Sequence, residues 1–127
     1  MEEKPSILIV DNNISHCKTL SFILGRRGYA VTTAKDGPEA IAHTQEKAYD
    51  AIFIDVKLPT LNGLETYLAI RESNPEAAVV MMTVYRQEMA ELVGEALDND
   101  ACICLHKPLD LAKVLRLVDE IQPRMRK

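Results

Sequence analysis

The sequence of 127 residues lacks tryptophan and has only three cysteines, none of them in a CxxC motif. An odd number of cysteines without that spacing fits neither a disulfide framework nor a zinc site. The apolar runs are too short to span a membrane. The first residues also lack the basic start and the apolar stretch of a secretion signal. We therefore expect a cytoplasmic protein without membrane contact.

Positive charge and clustered glycine are scarce as well. The 15 basic residues are outnumbered by 19 acidic ones, so the formal net charge is −4. This charge argues against a nucleic-acid binder, which must neutralise phosphates. The five glycines do not form a phosphate-binding loop, so a nucleotide site of that kind is disfavoured.

The length and composition favour one globular domain over the whole chain, 1–127. Its core is expected to span about 6–122, and the basic residues 123–127 form a tail or the start of a linker. A chain that is 47% hydrophobic and 27% charged has enough apolar residues for a core.

Short apolar runs alternate along the chain with segments of helical periodicity. The runs predict strands at 7–10, 29–34, 51–54, 78–82 and 102–105. Apolar residues recur at helical spacing after each strand, at 14–24, 39–47, 64–68, 89–97 and 111–121. Five strand–helix units in this order predict an α/β fold with a parallel sheet and helices on both faces.

Polar residues follow the strands at the points where the apolar runs stop. Asp11 and Asn12 follow the first strand, Asp55 the third, Thr83 the fourth and Lys107 the fifth. The carboxyl ends of parallel strands meet at one edge of the sheet, where ligands of such folds bind. The sequence therefore predicts one site that contains these five side chains.

The residue types at this edge favour phosphoryl transfer. Carboxylate oxygens are ligands for Mg²⁺, which commonly binds through one or two carboxylates together with phosphate and water. An aspartate can also act as a nucleophile and form an aspartyl phosphate. Lys107 supplies a positive charge and Thr83 a hydroxyl donor for phosphoryl oxygens.

With these residues in place, the chain resembles the receiver domain of two-component response regulators. The resemblance covers essentially the whole chain, and its motifs are the strand that ends at Asp11, Asp55 within 52–59, Asn62-Gly63, Thr83 and Lys107-Pro108. It implies a doubly wound, flavodoxin-like (βα)5 three-layer sandwich with sheet order 2-1-3-4-5.

The resemblance also implies roles for single residues. Asp55 would accept a phosphoryl group from a histidine kinase or a phosphotransfer protein, and Lys107 would contact that group. Asp11, Asp55 and the backbone carbonyl of Lys57 would hold Mg²⁺. Thr83 would carry the signal to the face formed by the fourth predicted helix, the fifth strand and the fifth helix. The output would be a contact with an unknown protein or with a C-terminal effector domain, and the domain would not be an enzyme in the ordinary sense.

Three positions depart from the pattern of the family. Asn12 replaces a second acid, so we expect it to coordinate only weakly through its side-chain carbonyl, or to cap the first helix instead. Val84 and Tyr85 border the access route of the phosphoryl group, which predicts slow phosphorylation and a long-lived product. Cys104 occupies the position of an aromatic residue that often reports the switch.

Two other functions are compatible with parts of the sequence. A degenerate receiver that acts as a scaffold without phosphorylation would explain Asn12, Val84 and Cys104. A small phosphatase with an aspartyl nucleophile would need a general acid where this chain has Lys57. Cys17 is expected in the core, and the three histidines show no metal-ligand spacing.

Overall fold

The computed structural model describes residues 5–58, 61–84, 103–107 and 109–125. The predicted helix at 89–97, Tyr85, Cys102 and Pro108 lie outside the described residues, as do the side chains of Val84 and Cys104.

The strands form one parallel sheet in the order β2-β1-β3-β4-β5. Their bounds are β1 Ser6–Val10, β2 Ala30–Ala34, β3 Ala51–Asp55, β4 Ala78–Val84 and β5 Ile103–Lys107. The apolar residues of β1 and of the central strand β3 are completely buried, as expected for strands covered by helices on both faces. The predicted fold class and sheet order are confirmed.

Four helices are described: α1 (Ile14–Arg26), α2 (Gly37–Glu46), α3 (Gly63–Ser73) and α4 (Leu111–Met125), the last being the fifth predicted helix. Alternate strand residues pack against different pairs of them, because successive side chains of a strand point to opposite faces. Ile7 and Ile9 lie in a core with α1 and α4, whereas Leu8 and Val10 lie in a core with α2 and α3. None of the helices in the described part of the chain is both long and apolar enough to cross a membrane.

Polar caps hold the first turns of the helices at the sheet edge where the strands end. Asn13 caps α1, since its side chain accepts a hydrogen bond from the backbone N–H of His16. The predicted capping role of Asn12 is therefore wrong. Asn62 forms a reciprocal capping box with Glu65 at the start of α3. Asp110 accepts a hydrogen bond from the N–H of Ala112 at the start of α4.

The strands extend further than the apolar runs predict. Asp55, Thr83 and Lys107 belong to β3, β4 and β5, rather than to the loops that follow them. Backbone pairing continues through these polar residues, with Asp55 opposite Met82 and Thr83 opposite His106. The side chains of Asp55, Thr83 and Lys107 therefore start from hydrogen-bonded sheet, which fixes the positions of their backbones.

Gly63 allows α3 to begin directly against the backbone that follows Asp55. Its N–H donates a hydrogen bond of 2.7 Å to the carbonyl oxygen of Val56. A Cβ atom at this position would lie 2.6 Å from the carbonyl oxygen of Asp55 and 2.6 Å from the Cα of Val56. Because backbone atoms cannot yield as a flexible side chain does, only glycine fits here without displacing the loop.

We expect Gly63→Ala to destabilise the protein by about 1–3 kcal/mol, the usual cost of forcing extra atoms into a packed region. Urea unfolding monitored by circular dichroism measures this loss. Gly25→Ala is the matched control, because Gly25 lies in α1 with no atom within 4 Å of an added Cβ. The control should be neutral or slightly stabilising. Equal stability of the two variants would contradict the close approach.

Candidate functional site

The ammonium group of Lys107 joins two carboxylates at the carboxyl edge of the sheet. Its Nζ lies 2.7 Å from Oδ2 of Asp11 and 3.0 Å from Oδ2 of Asp55. Asp11 follows β1 and Asp55 ends β3, whereas Lys107 ends β5, so its side chain reaches past β4 to both acids. Asp11 is 1% exposed and Asp55 is 7% exposed. The predicted convergence of these three side chains is what the structure shows.

The other oxygen of each carboxylate is held by the backbone. The N–H of Asn13 donates to Oδ1 of Asp11 at 2.9 Å, and the N–H of Lys57 donates to Oδ1 of Asp55 at 3.0 Å. In both cases the N–H donor lies two residues after the aspartate, so the backbone forms an Asx turn at each carboxylate. The two Oδ2 atoms consequently face each other across the Lys107 ammonium.

His16 is a site residue that the sequence analysis missed. Its Nδ1 lies 2.5 Å from Oδ2 of Asp11, and its side chain is 20% exposed. His16 occupies the third position of α1, and helical side chains tilt back toward the N-terminus, in this case toward Asp11. That position after the cap Asn13 is the signal that could have identified it.

Cys17 is a core residue, as predicted. Its Sγ donates to the backbone carbonyl of Asp11 at 3.2 Å. Burial raises the pKa of the thiol to about 11, so the group stays protonated at neutral pH.

The two carboxyl groups have pKa values shifted in opposite directions. Burial alone would raise the pKa of Asp11, but hydrogen bonds from Lys107, the Asn13 N–H and His16 outweigh it and lower this pKa. Burial raises the pKa of Asp55, and Lys107 compensates only in part. Asp55 is thus the more basic carboxylate of the pair, which favours it as the nucleophile.

Lys107 keeps its proton in this surrounding. Burial would lower the pKa of its ammonium, but the two carboxylates outweigh that effect and raise the pKa. Two acids and one ammonium leave a formal charge of −1 in a largely water-excluded place. This remaining negative charge favours a cation.

The remaining predicted residues are placed less completely. Thr83 is buried in β4, one residue beyond Met82, the strand partner of Asp55. Lys57 adjoins Asp55 through its backbone N–H, whereas Asn12 is exposed. Val84 pairs with Lys107 along the sheet. Tyr85 lies outside the described residues.

The donor atoms fit a hard divalent cation that keeps most of its water. Within the residues that the structure describes, no three His, Cys, Asp or Glu side chains are grouped as a metal cage. Mg²⁺ does not need such a cage, since it commonly binds through one or two carboxylates with water and phosphate as its other ligands. Asp11 and Asp55 provide that pair, so they fit Mg²⁺ better than a metal that requires several side-chain ligands.

Residues 7–119 match the response regulator receiver domain family over most of the chain. The chain belongs to this family. The transcriptional regulatory protein ZraR of Klebsiella oxytoca is 36% identical over 118 residues, which make up 93% of this chain and 26% of that relative. The chain thus spans about a quarter of the length of this relative.

Solved receiver structures of 26% sequence identity have the same fold. A Burkholderia pseudomallei response regulator with a phosphorylated aspartic acid, a calcium ion and citrate superposes with a TM-score of 0.81, covering 94% of this chain and 72% of its own. TrrA of Thermotoga maritima, in complex with Mg²⁺ and BeF, gives 0.79 and covers 92% of this chain and 98% of its own.

The opposite pKa shifts of this receiver domain predict opposite effects on stability. Asp11, whose pKa is lowered, stabilises the fold above pH 3.8, and this contribution is lost as the pH falls through its folded-state pKa. Asp55, whose pKa is raised, costs stability once ionised, and that cost disappears below pH 3.8. At neutral pH we expect Asp11→Asn to lower Tm and Asp55→Asn to raise it.

Thermal unfolding at neutral pH and at pH 3 measures these changes. Each substitution removes one charge and replaces the oxygen that faces Lys107 by an amide nitrogen, while the amide oxygen can still accept from the backbone N–H. The two variants are therefore controls for each other. Tm shifts of the same sign in the two variants at neutral pH would contradict the opposite pKa shifts of Asp11 and Asp55.

Proposed function

We propose that this receiver domain is a phosphoacceptor switch in which Asp55 takes a phosphoryl group from the phosphohistidine of a histidine kinase or a phosphotransfer protein. The observation that supports this most strongly is the Asp55 carboxylate, buried at the end of β3 and sharing the Lys107 ammonium with Asp11. The phosphorylated aspartic acid of the Burkholderia pseudomallei response regulator also supports it.

In the proposed step, an oxygen of Asp55 attacks phosphorus and a P–O bond forms. The P–N bond of the donor breaks, and its electron pair goes to the imidazole of the donor. Phosphoryl transfer depends mainly on positioning and on positive charge near the transferred oxygens. Mg²⁺ would be held by Asp11, Asp55 and the backbone carbonyl of Lys57, and it would supply part of that positive charge. The Mg²⁺ complex of TrrA supports this choice of cation.

Lys107 links the chemical step to the switch. The carboxylate of Asp55 loses its negative charge when it becomes an acyl phosphate, whereas the phosphoryl oxygens carry negative charge. The Lys107 ammonium, 3.0 Å from Oδ2 of Asp55 before the reaction, is therefore drawn toward those oxygens. A contact made in only one state shifts the equilibrium toward that state.

The buried hydroxyl of Thr83 is the second group proposed to follow the phosphoryl charge. Thr83 and Lys107 lie in the adjacent strands β4 and β5. Their movement would alter the surface formed by the predicted helix at 89–97, β5 and α4. Val84 and Tyr85 would slow access of donors and water to the acyl phosphate.

The domain acts in this proposal as an acceptor that assists its own phosphorylation, and not as an enzyme with turnover. Its output is a contact with a partner protein or an effector domain. The name of ZraR, a transcriptional regulatory protein, is consistent with an effector of that type. A scaffold that works without phosphorylation is less well supported, because binding to a partner protein does not require the intact group of Asp11, Asp55 and Lys107.

Intact mass spectrometry after incubation with Mg²⁺ and acetyl phosphate tests the acceptor. We expect one added phosphoryl group in the wild type and none in Asp55→Ala. Asp119→Ala is the matched control, because the exposed Asp119 pairs with Arg27 away from the site, and it should be modified like the wild type. A phosphoryl group added to Asp55→Ala would contradict the proposal. The proposal would also be contradicted if the wild type accepted no phosphoryl group from acetyl phosphate or from a phosphohistidine donor.

A carboxylate at position 12 should strengthen cation binding. Asn12→Asp adds a negative charge next to Asp11, and we expect Mg²⁺ to bind about tenfold more tightly, the equivalent of about 1.4 kcal/mol. Isothermal titration calorimetry measures this change. Gln45→Glu is the matched control. It adds the same charge at an exposed position in the C-terminal turn of α2 and should leave the affinity unchanged. If Asn12→Asp bound Mg²⁺ with the affinity of the wild type, a role of the charge at position 12 in cation binding would be refuted.

A further inference from the structure

The carboxylate of Asp11 is held by three donors from different parts of the chain. The Asn13 N–H donates to Oδ1, while Lys107 Nζ and His16 Nδ1 both lie at Oδ2, at 2.7 Å and 2.5 Å. A carboxylate oxygen has about two acceptor positions. Oδ2 of Asp11 is therefore fully occupied, and it is the oxygen that faces Asp55 across Lys107.

His16 is fixed on this oxygen by the start of α1. Asn13 donates its N–H to Asp11 and accepts the N–H of His16 with its side chain at 3.1 Å. Together with the contact between the His16 ring and Asp11, these bonds form a closed ring of three residues. The imidazole therefore lies at the carboxylate as part of the cap of α1.

We propose that His16 competes with a divalent cation for Oδ2 of Asp11 and thereby sets the cation concentration that the site requires. This inference rests on the cation role of the proposed function. A cation shared by Asp11 and Asp55 would approach the two facing oxygens, and at Asp11 it would displace the His16 N–H. His16 lowers the cation affinity in either protonation state. A neutral ring competes for Oδ2 as a hydrogen-bond donor, and an imidazolium also repels the cation.

His16 is in this role a positioning residue that acts through Asp11. The exposed fraction of its side chain, 20%, gives the ring a path to solvent once the cation binds. Lys107 is less free to leave, because it also holds Asp55. The presence of His16, together with Asn12 in place of an acid, makes this a site of low cation affinity that responds to changes in free Mg²⁺.

Substitution of His16 shows whether the ring competes with the cation for Asp11 or helps to bind the cation. We expect His16→Leu, which has no donor, to bind Mg²⁺ about tenfold more tightly than the wild type in isothermal titration calorimetry. His16→Asn should restore the wild-type affinity, because the amide nitrogen of asparagine occupies nearly the place of Nδ1. His43→Leu is the matched control, since His43 pairs with Glu39 at 3.6 Å in α2, and its affinity should equal that of the wild type.

The outcomes distinguish this inference from the proposed function. Weaker or unchanged Mg²⁺ binding in His16→Leu, with normal binding by the wild type, would overturn the competition and leave the phosphoacceptor proposal intact. Absence of Mg²⁺ binding from both proteins would overturn the competition and the cation role together. Tight binding in His16→Leu alone would support both.

A second measurement follows the ring itself in the wild type. Nuclear magnetic resonance of the imidazole nitrogens should show the Nδ1 signal of His16 shifting as Mg²⁺ is added, because the nitrogen loses its acceptor. The signals of His43 should stay in place. A His16 signal that remains unchanged at saturating Mg²⁺ would overturn the displacement.

Discussion

One ammonium group shared by two buried carboxylates organises this receiver domain. Without Lys107, Asp11 and Asp55 would bring two negative charges together in a region that excludes most water. Removal of Lys107 would leave both charges uncompensated, and an uncompensated buried charge typically costs about 3–5 kcal/mol. With Lys107 present, both acids stay in place with a net charge of −1 and with different basicities. In the proposed switch, the same arrangement that lets the fold tolerate the two acids also prepares Asp55 for a phosphoryl group and leaves negative charge for a cation.

The fold brings these groups together through the ends of its strands. β1, β3 and β5 end at the same edge, although β4 separates β3 from β5. The starts of the helices stabilise that edge, since Asn13 holds both Asp11 and His16, and Gly63 packs α3 against the backbone after Asp55. The starts of α1 and α3 are therefore fixed to the site by hydrogen bonds and close packing.

The architecture and the three central residues could be predicted because they depend on local patterns. Apolar runs that stop abruptly at Asp11 and Asp55 identify buried parallel strands, and all such strands end at one edge. The extension of β4 and β5 through Thr83 and Lys107 could not be predicted, because it results from pairing between strands. The adjacent residues Asn12 and Asn13 are equally good caps, so only the path of the chain selects Asn13. The contact of His16 with Asp11 follows from the choice of Asn13 as the cap, because the cap sets the position of His16 in the first turn of α1.

The shared ammonium is tested most directly by the titration of the two carboxyl groups. Carbon-13 nuclear magnetic resonance of Asp11 and Asp55 as a function of pH should show Asp11 titrating below 3.8 and Asp55 above it. In Lys107→Met both titrations should move to higher pH, because each acid loses the ammonium that stabilises its charged form. Titration of both acids near 3.8, or curves that the substitution leaves unchanged, would contradict this account.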